Sequence, residues 1–421
     1  MKILVVGGGG REHALVWKLS QSPKASELFA APGNAGTAGI ATNLPISASD
    51  IDGLVAAAKS RDIDLVVVGP EVPLSMGLVD AMQAEGIRAF GPSKQAAQLE
   101  ASKAFAHSLM QQCGIPAAVS RAFTKLSDAQ KYVSSLEPPI VVKADGLAAG
   151  KGSIIAMTHH EADSALREIM EQRVFGEAGD TVVIEEFLKG REVSLLAFTD
   201  GKHVVPMVPS CDYKRALDND EGLNTGGMGC YSPPGFFPPH LMEEATRVAI
   251  VPIVEAMASA GWDYRGVVYA GLMVDGDSIK VLEYNARFGD PETQVILPRL
   301  KSDLVEVLLA CVEGRLDEID VEWHDGCSVG VVLASGGYPG PYEKGLPISG
   351  LDDVDNDAAV FHAGTSTGDN GKTVTSGGRV LAVVSTGESI VQARERVYRN
   401  TQHISFEGMM YRNDIALREV K

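Results

Sequence analysis

The chain has 421 residues, 45% of them hydrophobic and 22% charged, which is typical of a globular protein long enough for about three domains. Its formal net charge of −18 argues against a polyanion-binding surface, because nucleic-acid binding draws on clustered lysines and arginines. The apolar run at residues 3–6 is too short for a signal peptide or a membrane span, so we expect neither.

The five cysteines are scattered and form no Cys-x-x-Cys pair. Neither a disulfide framework nor a zinc site is therefore indicated, and a reducing cytoplasm is the expected location. Cys211 is expected to be a bystander, because no histidine or cysteine stands close to it in the sequence.

The first hundred residues read as alternating strands and helices. Residues 2–6 predict a buried strand, residues 7–10 a turn and residues 12–20 a helix. A glycine loop that opens a helix presents free backbone N–H groups, which suits a phosphate. The rival is a dinucleotide fingerprint, but Glu12 stands where its third glycine belongs, which disfavours nicotinamide binding.

Two more loops, at residues 31–37 and 69–71, follow strand-like runs at residues 28–30 and 65–68. Loops beyond the carboxyl ends of parallel strands gather at one edge of an open sheet, where ligands bind. Simple turn-making is the alternative for all three loops. His13 is expected on the helix surface and not at a ligand.

The next segment predicts a flap that can cover a nucleotide. Lys103 falls in or near a helical run that ends before residue 114, and an amphipathic stretch covers residues 127–136. Residues 140–143 and 153–157 predict two strands with a glycine-rich loop between them. Backbone N–H groups of such a loop can fold over a triphosphate, with Lys143 and Lys151 as counter-charges. The loop is not a P-loop, because it is one residue short and leads into a strand.

Strands are also predicted at residues 181–188 and 191–199, and loops rich in small residues at 209–215 and 224–229. Small residues allow close backbone approach, so Asp212 and Lys214 can hold an amine nucleophile and a phosphate or carboxylate. Taken alone, Glu185 and Glu186 read as the end of a strand. His159 and His160 are adjacent near a helix start and are expected at the surface.

Residues 281–288 predict the strand around which the chain is organised. Alternate side chains of a strand share one face, so Glu283, Asn285 and Arg287 should point the same way. Two oxygen ligands followed by a guanidinium suit a hard divalent cation held against phosphate oxygens. A solvated strand face is the alternative.

Gly289 and Pro291 should end this strand and leave Asp290 and Glu292 in the loop. Farther on, strands are predicted at residues 328–333, 358–362 and 379–384, and a helix at 388–402. Nothing in this last stretch looks catalytic.

Taken in order, these motifs resemble the phosphoribosylamine–glycine ligases, or glycinamide ribonucleotide synthetases, of the ATP-grasp superfamily. The run at residues 281–294 carries the closest match, and the loops at 8–14, 209–215 and 224–229 fit the family's order. The resemblance implies a mixed α/β (α+β) multidomain fold. Its parts would be a Rossmann-like domain at residues 1–101, an ATP-grasp domain at 102–325 with a mobile lid at about 120–190, and a small C-terminal α/β domain at 326–421.

The resemblance also implies the roles of individual residues. ATP would be bound by Lys103, Lys143, Gly146, Gly150, Lys151, Gly152, Glu185, Glu186, Leu188 and Glu192. Lys103 and Lys143 would contact the phosphates. Backbone groups near Glu186 and Leu188 would contact adenine, and Glu192 would contact the ribose. The other substrates would be bound by Gly9, Gly10, Asn34, Gly36, Thr37, Glu71, Asp212, Lys214, Asn224, Gly226, Asp290 and Glu292. Glu283 and Asn285 would bind Mg²⁺ or Mn²⁺. Arg287, Lys143, Asp212 and Lys214 would be catalytic.

The implied reaction joins glycine to 5-phosphoribosylamine through glycyl phosphate, giving glycinamide ribonucleotide, ADP and phosphate in purine biosynthesis. The expected partners are these small molecules, with no nucleic acid and no membrane, and the expected state is a monomer or weak homodimer. The alternative is another ATP-grasp carboxylate–amine or carboxylating ligase. A nicotinamide-dependent oxidoreductase and a non-catalytic nucleotide-binding regulator represent other classes.

The chain departs from the family pattern at three places. Gly8 stands where asparagine is common, and Tyr213 stands where histidine is frequent. A histidine's proton-shuttling role cannot be transferred to Tyr213, because the pKa of tyrosine is near 10. Residues 269–273 contain no carboxylate, although many ATP-grasp enzymes have a further acidic metal ligand on that strand. The resemblance therefore leaves the number of metal ions open.

Overall fold

The computed structural model describes residues 1–148, 152–369 and 371–420. Its first elements are β1 (Lys2–Gly7), α1 (Gly10–Leu19), β2 (Glu27–Pro32), β3 (Thr42–Asn43), α2 (Ile51–Ser60), β4 (Leu65–Val68), α3 (Glu71–Met76), α4 (Leu78–Ala84), β5 (Arg88–Pro92) and α5 (Gln98–Ala101). The strands pair in parallel in the order β3-β2-β1-β4-β5. The predicted Rossmann-like start of the chain is confirmed.

Strand β1 shows why this sheet forms. Ile3 and Val5 pack with Leu15 of α1, whereas Leu4 and Val6 pack in a second cluster with Leu54 of α2. Both faces of the strand are therefore buried, which explains its unbroken apolar sequence.

The central elements are α6 (Lys103–Gln112), β6 (Ser120–Phe123), α7 (Leu126–Val133), β7 (Ile140–Ala144), β8 (Ser153–Ala156), α8 (His159–Met170), β9 (Val182–Glu186), β10 (Arg191–Thr199), β11 (Val204–Pro206), β12 (Cys211–Asp212), β13 (Arg215–Leu217), β14 (Glu221–Asn224), β15 (Gly229–Ser232), α9 (Pro239–Ala245), α10 (Val251–Ser259), β16 (Tyr264–Asp275), β17 (Ser278–Asn285), α11 (Glu292–Ile296) and α12 (Leu304–Glu313). Strand β16 pairs with β10, β17 and β5. The first domain's sheet thus continues into the central one.

The lid predicted near residues 120–190 contains a separate sheet, in the order β6-β9-β7-β8, with α7 and α8 packed on it. The flap connects β7 to β8. Gly150 and Lys151, predicted to bind ATP, lie outside the residues that the structure describes.

The last elements are β18 (Cys327–Ala334), β19 (Ala358–His362), β20 (Thr365–Thr367), β21 (Thr373–Thr375), β22 (Arg379–Gly387) and α13 (Ile390–Thr401). Strands β12 and β15 of the central segment join this part in one sheet, in the order β12-β15-β18-β22-β19. The loops around Asp212 and Gly226 therefore lie where the central and C-terminal parts meet. None of the described helices is both long enough and apolar enough to span a membrane.

The structure corrects the predicted end of strand β17. The strand stops at Asn285, because the next backbone N–H, that of Ala286, donates to Glu100 Oε2 at 2.8 Å. Phe288, predicted within the strand, lies beyond it and packs between Phe90 and Phe198. Glu292, predicted in a loop, opens the short helix α11.

Arg412 joins the C-terminal segment to the β13–β14 hairpin. Its guanidinium is fully buried, pairs with Asp414 at 2.7 Å and Asp220 at 3.0 Å, and donates to the carbonyl of Arg215. We expect Arg412→Met to lower the free energy of unfolding by about 3 kcal/mol, near the lower end for a broken buried ion pair. The reason for the lower end is that Asp220 is 41% exposed and can be hydrated.

Urea denaturation of the purified variant measures this loss. Arg399→Met is the matched control, because Arg399 also pairs with two aspartates, Asp355 and Asp357, but on the exposed surface. The control should leave the denaturation midpoint nearly unchanged. Equal midpoints for both variants would contradict the structural role of Arg412.

Candidate active site

The face of β17 carries the predicted metal ligands. Glu283 lies opposite Gly271, and Asn285 opposite Tyr269, so both side chains project from the same face of the strand. Arg287 follows just beyond the strand, and its Nη2 donates to Asn285 Oδ1 at 3.2 Å. The acid, the amide and the guanidinium therefore lie together as the sequence predicts. Gly271 also shows that β16 supplies no carboxylate opposite Glu283.

Positive charge surrounds Glu283. Burial alone would raise the pKa of this carboxyl group, but four cations, Lys214, Lys143, Lys103 and Arg287, outweigh it and lower the pKa. Lys214 Nζ lies 3.8 Å from Glu283 Oε1. The Glu283 side chain is still 40% exposed, so it is ionised and open to a ligand. A carboxylate and an amide oxygen ringed by cations fit a divalent metal ion bound together with phosphates.

Lys143 is held in place by Glu185. Its Nζ lies 2.7 Å from Glu185 Oε2, and the other carboxylate oxygen lies 2.7 Å from His107 Nε2. Burial would raise the pKa of Glu185, but Lys143 and the hydrogen bond from His107 keep it lowered. The Glu185 side chain thus positions Lys143. His107 was missed in the sequence, although its spacing of four from Lys103 places both on one helix face.

Lys103 stands at the start of α6. The helix is capped by Ser102, whose Oγ accepts from Phe105 N at 3.1 Å, and by Asp145, which accepts from Ala104 N at 2.6 Å. Lys103 Nζ donates to the carbonyl of Gly146 at 3.3 Å. Burial lowers the pKa of Lys103, with Glu283 the main opposing charge. The flap is thus linked to the helix that presents a phosphate-binding lysine.

The glycines at the ends of the flap are packed closely. A Cβ at Gly146 would lie 2.7 Å from Ala178, and one at Gly152 would lie 2.6 Å from Ala148. Both positions therefore require glycine for packing within the lid. This requirement exists whether or not a nucleotide approaches them.

The residues predicted around adenine and ribose lie at the end of β9, just after it, and near the start of β10. Glu186 pairs with Lys280 at 2.7 Å, and Leu188 lies two residues after the end of β9. Glu192 on β10 lies 2.8 Å from Lys214 Nζ. This ion pair therefore joins Glu192, which was predicted to bind ATP, to Lys214, which was predicted to bind the other substrates.

Arg287 is paired with two carboxylates from the first hundred residues. Its Nη2 lies 2.9 Å from Glu100, and its Nε lies 3.4 Å from Glu71 without forming a hydrogen bond. Burial raises the pKa of Glu100, although Arg287 opposes the shift. Glu71 was predicted as a substrate ligand, whereas Glu100 was missed because nothing in its local sequence marks it.

Asp212, predicted to bind substrate, has an unpaired carboxyl oxygen. Its Oδ1 is buried and has no hydrogen-bond partner among the described residues. Burial and the charge of Glu292 raise its pKa well above the usual range, against the opposing charges of Lys214 and Arg379. Glu192 is the main cause of a raised pKa at Lys214, which therefore stays charged. An unpaired carboxylate beside a cation can receive an amine.

Asp290 and Glu292 form the wall next to Asp212. Glu292 Oε1 accepts from Tyr269 Oη at 2.6 Å and from Ser194 Oγ at 3.0 Å. Asp290 Oδ1 accepts from Gln294 at 2.8 Å. The pKa of Asp290 is lowered because Arg379 and Arg11 outweigh its burial. Both predicted side chains are thus fixed by neighbours.

Arg379 from the C-terminal part also reaches this wall. Its Nη1 donates to the carbonyls of Gly226 at 2.6 Å and Asp290 at 3.0 Å, and lies 3.2 Å from Asp290 Oδ1. No residue of the last stretch was predicted at the site, so Arg379 is a residue that the sequence reasoning missed. The available signal was an arginine directly after the turn at residues 376–378. Asn224, another predicted residue, pairs with Arg215 in the β13–β14 hairpin.

The glycine loop before α1 differs from the prediction of free N–H groups. The Gly9 N–H donates to Glu12 Oε2 at 2.6 Å. Gly7, whose φ is +127°, leaves room for Glu12, because a Cβ at Gly7 would lie 2.5 Å from the Glu12 side chain. A carboxylate therefore occupies one of the N–H groups that were expected to receive a phosphate.

The loop at residues 31–37 is held in place mainly by hydrogen bonds of its own side chains. Asn34 Oδ1 accepts from Gly36 N at 2.9 Å and Thr37 N at 3.0 Å, and Asn34 Nδ2 donates to the carbonyl of His362 at 2.7 Å. Thr37 is fully buried. The Asn34 and Thr37 side chains thus hold the loop, so a substrate contact there would use its backbone.

His13 is buried, contrary to the surface position expected for it. Its Nδ1 accepts from His362 N at 2.7 Å. A Cβ at Gly36 would lie 2.3 Å from the His13 ring, and one at Gly10 2.6 Å from Gln294. The C-terminal part thus covers this end of α1. Cys211 fits the bystander role, since burial raises the pKa of its thiol to about 12.

Three family models match the chain in order. They are the N domain, the ATP-grasp (A) domain and the C domain of phosphoribosylglycinamide synthetase, at residues 1–100, 101–293 and 328–418. Proteins named phosphoribosylamine–glycine ligase are 50% identical in Vibrio vulnificus and 48% in Halalkalibacterium halodurans, with all of this chain covered and 99% and 97% of theirs.

Solved structures indicate the same family. The phosphoribosylamine–glycine ligase of Thermotoga maritima is 34% identical with a TM-score of 0.87, covering 99% of this chain and all of that one. A biotin carboxylase domain from Hydrogenobacter thermophilus, crystallised with MgADP and bicarbonate, is 14% identical with a TM-score of 0.75. The match covers 97% of this chain and 91% of that one, which shows a shared fold. The predicted family and fold class are confirmed. The chain belongs to the phosphoribosylglycinamide synthetase family of ATP-grasp ligases.

Proposed function

We propose that this protein uses ATP to join glycine to 5-phosphoribosylamine through glycyl phosphate, releasing glycinamide ribonucleotide, ADP and phosphate. The observation that carries the proposal is the convergence of Lys103, Lys143, Lys214 and Arg287 on Glu283. Such a group of cations around one metal-binding carboxylate suits a nucleoside triphosphate. Its position beside Asp212 suits transfer to a second, amine-bearing substrate.

The chemistry explains why these groups are needed. A carboxylate is a poor electrophile until phosphorylation gives it a leaving group, and the resulting acyl phosphate must be shielded from water. Glu283 and Asn285 would hold Mg²⁺, which supplies charge neutralisation at the phosphates. Lys103 and Lys143 would orient the phosphate chain. Arg287 would stabilise charge on the transferred phosphoryl group and on the tetrahedral oxyanion.

Asp212 would accept the proton of the attacking amine. Its raised pKa brings the carboxyl group closer to the operating pH, where a general base works best. We expect Asp212→Asn to lower kcat by about 10²- to 10⁴-fold. In the unaltered enzyme, kcat should rise with pH as Asp212 loses its proton, and the variant should lack this limb.

A pH–rate profile at saturating substrates measures both effects. Cys211→Ser is the matched control, because it changes a neighbour that has no assigned role. It should keep the pH limb. A variant Asp212→Asn that retains the limb would show that another group accepts the proton.

ADP release tests the proposed substrates. It should require glycine and phosphoribosylamine together, and the product should be glycinamide ribonucleotide by mass. Turnover with a different carboxylate or amine, but not with this pair, would instead favour another ATP-grasp ligase. The proposal includes domain boundaries at residues 101/102 and 325/326, a cytoplasmic location, and a monomer or weak homodimer acting on small molecules.

A further inference from the structure

A second cavity lies away from the residues of the candidate active site. It has a volume of about 310 Å³ and is formed where residues 298 and 299 meet the C-terminal part. Its polar lining includes Arg299, His324, Cys327, Thr386, Gln392 and Arg396. None of these residues was predicted to bind substrate, nucleotide or metal.

Arg299 is an unusual buried cation in this cavity. The residue is 7% exposed, and its guanidinium forms no direct ion pair with a carboxylate of the described residues, since Asp325 opposes the burial that lowers its pKa only from a longer distance. The other buried arginines, Arg11 and Arg412, pair directly with Glu12 and with Asp220 and Asp414. Burying a charge without a partner is unfavourable. A bound anion would compensate the buried positive charge of Arg299.

The hydrogen bonds of Arg299 leave donor capacity unused. Its Nη1 donates to Ser232 Oγ at 2.8 Å, and Nη2 reaches the carbonyl of His324 at 3.5 Å. Its Nε has no hydrogen-bond partner in the described part of the chain. A guanidinium presents donors in a planar fork that matches phosphate or carboxylate oxygens.

A second unsatisfied group lies on the sheet face that Arg299 covers. Ser328 is opposite Ser232 on one side and opposite Thr386 on the other, so the three hydroxyl groups share this face. Ser328 Oγ is buried and has no hydrogen-bond partner within the described residues. Ser328 is therefore a second polar side chain on this sheet face that the described residues leave unpaired.

The opposite wall carries a second cation, Arg396, whose Nε lies 3.4 Å from Asp357 and whose Nη1 donates to the carbonyl of Thr386. Helix α13 begins at Ile390, after the cap residue Ser389, and presents Gln392 and Arg396 to the cavity. A helix amino terminus favours anions. The two acids of the lining, Asp325 and Glu388, are exposed and disfavour a polyanion.

We propose that this cavity is a binding site for a small oxyanion, the phosphate or carboxylate group of a metabolite, held by Arg299 with support from Arg396 and the amino terminus of α13. The cavity volume fits a small molecule. The proposal does not depend on the chemistry of the ATP cleft.

Cys327 provides a direct test because its thiol lines the cavity. The full-length protein is treated with a maleimide at constant ionic strength in chloride, inorganic phosphate or acetate, and labelling of each cysteine is followed by peptide mass spectrometry. At a ligand concentration ten times Kd, labelling of Cys327 should slow by about tenfold. Cys113, which is partly exposed near the end of α6, is the internal control and should label at one rate throughout.

The two anions distinguish the source of the oxyanion. Protection by phosphate supports a phosphate ligand, and protection by acetate alone supports a carboxylate ligand. Labelling of Cys327 that neither anion slows would overturn the proposal.

Variants connect the protection to the cavity. Arg299→Gln should abolish it, and Arg396→Gln should weaken it. Arg394→Gln is the matched control, because Arg394 lies on the same helix but donates to the carbonyls of Ile415 and Asn413. Full protection in Arg299→Gln would refute the assignment. If that variant does not fold, full protection in Arg396→Gln has the same force.

Discussion

Turnover at ordinary Mg²⁺ concentrations is expected to fall by at least about a hundredfold when Glu283 is replaced by alanine. Glu283 is the carboxylate on which Lys214, Lys143, Lys103 and Arg287 converge. Its removal leaves the proposed metal site with Asn285 alone. The side chain is 40% exposed in the cleft, so the fold should survive the change.

Steady-state ADP release over a Mg²⁺ titration measures the effect. Asp275→Ala is the matched control, because Asp275 is an exposed acid near the turn of the same β16–β17 hairpin. It should leave the titration unchanged. Full activity of Glu283→Ala at ordinary Mg²⁺, with circular dichroism equal to that of the unaltered protein, would remove Glu283 from the metal site.

Arg287→Ala should lower kcat by about 10²- to 10³-fold while ATP binding weakens far less. The reason is that the guanidinium is proposed to act on charge that develops during phosphoryl transfer and amine attack. Its Nε is buried and has no hydrogen-bond partner among the described residues.

The ion pairs of Arg287 require a second variant. Glu100 and Glu71 lie at 2.9 and 3.4 Å, so truncation to alanine leaves two acids without their partner and also destabilises the protein. Arg287→Lys keeps the charge but loses the planar fork. It should remain folded and still show most of the kcat defect. Normal kcat in Arg287→Lys together with unchanged ATP affinity would assign Arg287 a structural role.

The sequence was most informative where a local rule applies. Strand alternation correctly placed Glu283 and Asn285 on one face, and the same reasoning placed Arg287 beside them. The occupied Gly9 N–H before α1 follows a local rule that was not applied. Glu12 stands three residues after Gly9, which is the spacing of a capping box.

Residues that reach the site only through tertiary packing could not be predicted from the sequence. Glu100 and Arg379 contact the site from positions distant in the chain, and no periodicity connects them to Arg287 or Asp290. His13 was placed at the surface because a helix pattern shows one buried face. The C-terminal part covers a second face of α1 through Phe361 and His362.

A crystal soaked with Mg²⁺, a non-hydrolysable ATP analogue and glycine would show directly whether the proposed residues bind these ligands. We expect a metal ion bound by Glu283 and Asn285, the Arg287 guanidinium on the terminal phosphate, and glycine with its carboxylate facing that phosphate. A nucleotide bound elsewhere, or a metal ion that contacts neither Glu283 nor Asn285, would contradict this expectation.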